Sequence, residues 1–138
     1  MYRQIIDRGG AGWAAWLQYG GALDQAGRWR EARTALQKAV ALAPTQPLAL
    51  NYLGYARIEH GEAMADAARM LERANALAPG DASIADSLGW AYHLTGDTAR
   101  GLPLIERAAA KEPANAEIGE HLGAVSYTHL TLPTILRV

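Results

Sequence analysis

Leu50 to Pro79 reads LNYLGYARIEHGEAMADAARMLERANALAP, and this stretch decides the fold. An aliphatic–Gly pair, Leu53-Gly54, is followed seven residues on by Gly61, and then by an Ala-rich run that stops at Pro79. The same order recurs from Ala85 to Pro113 as Leu88-Gly89, Gly96 and Pro113, and earlier as Tyr19-Gly20, Gly27, Ala39 and Pro44. Gly20, Gly54, Gly89 and Gly123 are spaced by 34, 35 and 34 residues, and Pro44, Pro79 and Pro113 by 35 and 34. The one extra residue falls between Gly61 and Ala67, in the turn or the first turn of a helix, where an insertion is tolerated.

A repeat of this kind buries its core between neighbouring units, so the 138 residues count repeats and not domains. Half the residues are hydrophobic, but there is no Phe, and Ala and Leu dominate; that composition suits closely packed helices. Helical spacing runs from Trp13 to about Ala26 and from Trp29 to Ala43, with Gly27 between and Pro44 as the stop. Thr45 or Gln46 caps the next pair with Pro47 in its first turn, and its helices cover about Leu48–His60 and Ala63–Ala78. Asp81 caps a third pair, to Leu94 and from about Thr98 to Lys111, and a fourth unit opens at Asn115.

A helix-turn-helix of this period resembles the tetratricopeptide repeat. The matching residues are Trp16-x2-Tyr19-Gly20-x2-Leu23 with Ala32-x3-Leu36-x2-Ala39-x4-Pro44; Leu50-x2-Leu53-Gly54 with Ala67-x3-Leu71-x2-Ala74-x4-Pro79; and Ala85-x2-Leu88-Gly89-x2-Tyr92 with Ile105-x2-Ala108-x4-Pro113. The resemblance implies an all-α, right-handed α-solenoid of antiparallel helix pairs, about three full repeats plus partial ends. The expected units are 13–46, 47–81 and 82–115, with 1–12 as the end of a preceding helix and 116–125 as a partial first helix. Three departures stand out: Arg57 where an aromatic is usual, Gly101 where Ala is, and Pro103 early in a second helix, which predicts a late or kinked start there. Asn51-Tyr-Leu-Gly-Tyr55 and Asp86-Ser-Leu-Gly-Trp-Ala-Tyr92 are similar to repeats of large bacterial proteins of this family, many of them associated with the cell envelope.

After Ala124 the pattern collapses, with Thr at alternate places and Pro133. Residues 125–138 are similar to the translated read-through of a common transposon-type sequencing adapter, which implies a non-native tail over 126–138 on a chain that is a fragment of a longer protein.

The formal charge of -1 and the pI near 6.4 offer no basic excess for a phosphate backbone, so nucleic acid is not an expected partner. No apolar run of roughly 20 residues is present to span a membrane. Zero cysteines exclude disulfides and thiolate metal sites, without separating cytoplasm from envelope. The histidines His60, His93, His121 and His129 lack metal-ligand spacing, and ligands one repeat apart are expected to lie too far apart to share an ion. No nucleophile elbow, paired carboxylates or phosphate loop appears, so no catalytic, cofactor or metal residue is assigned and the chain is not read as an enzyme.

What the resemblance implies instead is a surface. In such arrays the first helix of each repeat lines the concave face, and one stripe of it points inward. Here that stripe carries Asp24, then Asn51, Tyr55 and Ile58, then Asp86, Trp90 and His93, then Glu117 and Glu120, an aromatic and acidic groove with no Lys or Arg. Relatives that clamp a chaperone's terminal carboxylate place Lys, Arg and Asn on this stripe, and only Asn51 fits. The expected function is a protein-interaction scaffold binding an extended segment with basic and apolar residues, Tyr55 and Trp90 as anchors and the carboxylates for steering. The alternative is the regulatory or substrate-docking arm of a larger enzyme or envelope-assembly protein. Self-association through uncapped ends is a further expectation.

Overall fold

The computed structural model describes residues 12–136, with side chains as far as Leu130. The expectation for residues 1–12 lies, apart from Gly12, outside the described residues. Among the described residues seven helices follow one another: α1 (Trp13–Gln25), α2 (Trp29–Leu42), α3 (Pro47–Glu59), α4 (Met64–Leu77), α5 (Ala82–Leu94), α6 (Thr98–Lys111) and α7 (Ala116–Leu136). Among the described residues there is no strand.

The punctuation works as the residues dictate. In each repeat the turn between its two helices closes on a left-handed glycine: Gly27, Gly61 and Gly96, with φ of 78°, 65° and 95°. The following amide then reaches back to the helix it leaves: Arg28 N to Leu23 O at 2.9 Å, Glu62 N to Arg57 O at 2.9 Å and Asp97 N to Tyr92 O at 2.7 Å. Between repeats, Gln46, Asp81 and Asn115 cap the next helix by accepting from Leu48 N, Ile84 N and Ile118 N.

The extra residue of the second repeat is thereby localised. Glu62 occupies the place of Arg28 and Asp97, so Ala63 is the insertion, and it sits at φ 48°, ψ 47°. A left-handed alanine is strained, and glycine would relieve that while costing some unfolded-state entropy. Ala63→Gly is therefore expected to raise stability by about 0.5 kcal/mol. Urea denaturation checks this, and a lowered midpoint would contradict it.

The core is built between units. Leu36 of α2 packs with Leu53 and Ala56 of α3; Leu50, Ala74 and Ile84 join α3, α4 and α5; Ile105 and Ala108 of α6 meet Ile118 and Val125 of α7. Consecutive first helices (α1, α3, α5, α7) touch one another, whereas consecutive second helices (α2, α4, α6) do not. First helices therefore form the inner, concave layer and second helices the splayed outer one.

Two expectations are corrected. Helix α6 starts on time: Asp97 caps it by accepting from Arg100 N at 3.2 Å, and Pro103 lies inside it. The bond lost is the one to Ala99 O, and both residues are exposed, which leaves that carbonyl on the solvent side of the helix. Helix α7 does not break after Ala124 but runs to Leu136. Val125 is fully buried in the α6–α7 core, and Thr128 Oγ1 donates to Ala124 O at 3.0 Å, a back-bond that accommodates Thr in a helix.

Candidate binding groove

Between the first helices lies a cavity of about 420 Å³. Asp24 from α1, Asn51, Tyr55 and Glu59 from α3, Ser83 and Asp86 from α5, and Glu117 from α7 line it, together with the cap residue Asn115. Among the described residues no Lys or Arg lines it.

Its floor is a contact that the sequence does not announce. His121 of α7 is 7 % exposed and Asp86 4 %, and the His121 Nδ1–H donates to both carboxylate oxygens, at 2.8 and 3.0 Å. The Trp90 ring stacks on His121 with centroids 4.2 Å apart and planes 16° from parallel. His121 Nε2 faces the Tyr55 hydroxyl at 3.4 Å, while that hydroxyl donates to Glu59 Oε1 at 2.5 Å. Three repeats are thus joined through one imidazole.

Charge sets the protonation. Burial opposes the imidazolium of His121, but the hydrogen bond to Asp86 and the charges of Asp86, Glu117 and Glu59 outweigh it and hold the pKa above the ordinary histidine value. Burial and the hydrogen bonds to Glu59 and Glu117 push the Tyr55 phenol well above its usual range. His93 goes the other way, lowered by burial and by the nearby His121; its Nδ1 meets Thr98 Oγ1 at 3.0 Å.

Of the stripe residues, the structure brings Asp24, Asn51, Tyr55, Asp86 and Glu117 to the cavity wall. Asp24 is engaged by His60 Nε2 at 2.8 Å, and that imidazole stacks on Trp29. Asn51 Oδ1 is buried without a hydrogen-bond partner. Trp90 is half-buried and packed against the core on both sides of α5. His93 packs beside it, and Glu120 is exposed but does not line the cavity.

Ile58 does not face a partner. It is 2 % exposed in a cluster with Leu71 of α4 and Leu88 of α5, because those two helices close over the end of α3. Asp86 likewise cannot steer from the surface, being buried and spent on His121. His121 is a buried residue and not a surface one. Asp86, Glu117 and His121 bring ligand atoms within 4.8 Å of one another, so residues one repeat apart do come close enough to share an ion. In the structure Asp86 and His121 satisfy each other. The signal that would have found this pair is a carboxylate and a histidine at adjoining stripe positions of successive first helices.

Comparison with known proteins agrees with the architecture. A sequence model of the tetratricopeptide repeat matches residues 13–58. A TPR repeat-containing protein of Pseudomonas aeruginosa is 31 % identical over 88 residues, which is 64 % of this chain and 15 % of the relative. Among solved structures, an O-GlcNAc transferase of Thermobaculum terrenum superposes with a TM-score of 0.76 at 27 % identity, over 82 % of this chain and 22 % of its own. The first TPR of Spaghetti (RPAP3), solved bound to the HSP90 peptide SRMEEVD, gives 0.75 at 19 % identity, over 86 % and 95 %. The chain thus spans a minor part of the first two. With one repeat matched at residues 13–58, two further copies in its register and the shared solenoid, this chain is similar in sequence and fold to arrays of tetratricopeptide repeats.

Proposed function

We propose that this array is a protein-interaction scaffold whose inner layer holds an extended partner segment carrying Lys or Arg among apolar residues. One observation carries the reading: the cavity between first helices is walled by Asp24, Glu59, Asp86 and Glu117, with no cation lining it among the described residues. Even with Asp86 neutralised by a protonated His121, Glu59 and Glu117 face the cavity exposed. A buried, unpartnered Asn51 Oδ1 offers an acceptor for a backbone or side-chain N–H. Tyr55 supplies a half-buried aromatic wall, while Trp90 serves mainly to hold His121 in place. The RPAP3 domain shows that a neighbour of this fold binds a peptide, there one ending in EEVD. The opposite sign of the groove here supports a partner of opposite charge. No catalytic role is proposed for these residues.

Fluorescence anisotropy with a labelled peptide of alternating Lys and Leu tests it. Glu117→Lys, at an exposed site, is expected to weaken binding at least about tenfold. Unchanged affinity would remove the proposal.

A second reading, the docking arm of a larger enzyme, is favoured by the likeness to the O-GlcNAc transferase. Under it the same groove would hold the substrate of a catalytic domain encoded beside this segment. Turnover that is indifferent to Glu117→Lys in such an enzyme would exclude it.

A further inference from the structure

The outer layer contains a second cavity, of about 530 Å³, and its cause is a single substitution of the repeat pattern. Three residues after the packing glycine of the first helix, each of the three full repeats carries a buried or part-buried side chain. In the third repeat it is Tyr92, buried, with its hydroxyl donating to Glu72 Oε2 at 2.8 Å. In the first it is the core residue Leu23. In the second it is Arg57, and the counterpart of Glu72 one repeat earlier is Gln37. Where Tyr92 and Glu72 close the gap, Arg57 and Gln37 leave it open, over a floor of Val40, Leu50, Leu53 and Met70.

The guanidinium in this gap is not satisfied. Arg57 Nε is buried without a hydrogen-bond partner, and Nη1 reaches only Met70 Sδ at 3.6 Å, a weak acceptor. Glu62 is close enough to feel the Arg57 charge, but its carboxylate is engaged by Arg33 at 2.7 Å and by Trp29 Nε1 at 3.0 Å. Asp66, at the rim, is engaged by Arg69. Arg73, exposed at the rim, forms no ion pair among the described residues. Three arginines therefore surround an aliphatic floor with one carboxylate among them, already committed. Arg57 is part-buried with its Nε unpaired, and an incoming carboxylate would give that donor a charged acceptor.

We infer that this pocket receives an acidic side chain, Glu or Asp beside a leucine-type residue, from a partner protein laid across the outer face. The carboxylate pairs with Arg57 and Arg73, a geometry the guanidinium fork suits, and the aliphatic neighbour covers Val40 and Met70. The array then has two docking faces of opposite preference, a basic segment inside and an acidic one outside. This inference does not depend on the inner groove being occupied.

Anisotropy of the whole chain with a labelled octapeptide of alternating Glu and Leu decides the matter. Arg57→Tyr, which copies the third repeat, is expected to weaken binding at least about tenfold while leaving the urea midpoint equal or higher. Arg73→Ala, at an exposed position that does not endanger folding, is expected to weaken it about threefold, and Glu117→Lys to leave it unchanged. No binding by the wild type, or equal binding by both arginine variants, would overturn the inference. Octanoate binding the pocket while the peptide does not would assign it to a free aliphatic acid and overturn the protein partner.

Discussion

His121→Ala is expected to destabilise the chain by about 3 kcal/mol, because it strands the Asp86 carboxylate in a buried site. The loss includes the stack on Trp90 and the junction with Tyr55, so α7 should detach from α5 before the rest of the array unfolds. The pH dependence identifies the same pair. A histidine whose pKa is raised on folding contributes stability that is complete below its unfolded value, about 6.5, and is lost as pH rises through the folded value. His93, lowered on folding, contributes the reverse, a loss as pH falls below about 6.5. The wild-type urea midpoint is therefore expected to fall as pH rises above about 6.5, and that of His121→Gln to stay flat over the same rise. A variant curve parallel to the wild type would show that the pair carries no such stability.

Gly101→Ala is expected to cost about 2 kcal/mol, although Ala is the usual residue at that position in similar repeats. A Cβ on Gly101 would stand 2.4 Å from Gly89 O, and one on Gly89 would stand 2.7 Å from Gly101 O. Both obstacles are backbone, so α5 and α6 must separate to admit a methyl group. In the second repeat, by contrast, a Cβ on Gly54 meets chiefly the Leu71 side chain at 2.9 Å. Gly54→Ala should accordingly cost less than Gly89→Ala. Thermal or urea unfolding of the three variants measures this, and a Gly101→Ala protein as stable as the wild type would mean that the helices do not pack this closely.

The period, the helix bounds as far as Lys111 and the caps were legible because they depend on local chemistry. Gly at a left-handed turn, Asp81 at a cap and Pro after a helix act within a few residues of themselves. The groove stripe was partly legible, since helical spacing places Asn51, Tyr55 and Glu117 on one side of their helices. It could not show how far α4 and α5 reach over the end of α3, and so Ile58 was assigned outward when it is core. Nor could it show that α7 lies against α5 at a register joining His121 to Asp86. That contact depends on the crossing of two helices, not on either sequence alone. Arg57 was visible as a departure, but the cavity it leaves is apparent only beside Tyr92 and Glu72 in the next repeat.

Mapping of backbone amide shifts in the labelled chain, titrated with the alternating Lys and Leu peptide, tests the central claim most directly. The account predicts shifts concentrated on α3, α5 and the first turns of α7, at Asn51, Tyr55, Ser83 and Glu117, and their suppression by salt. Shifts confined to α2, α4 and α6, or none at saturating peptide, would contradict it.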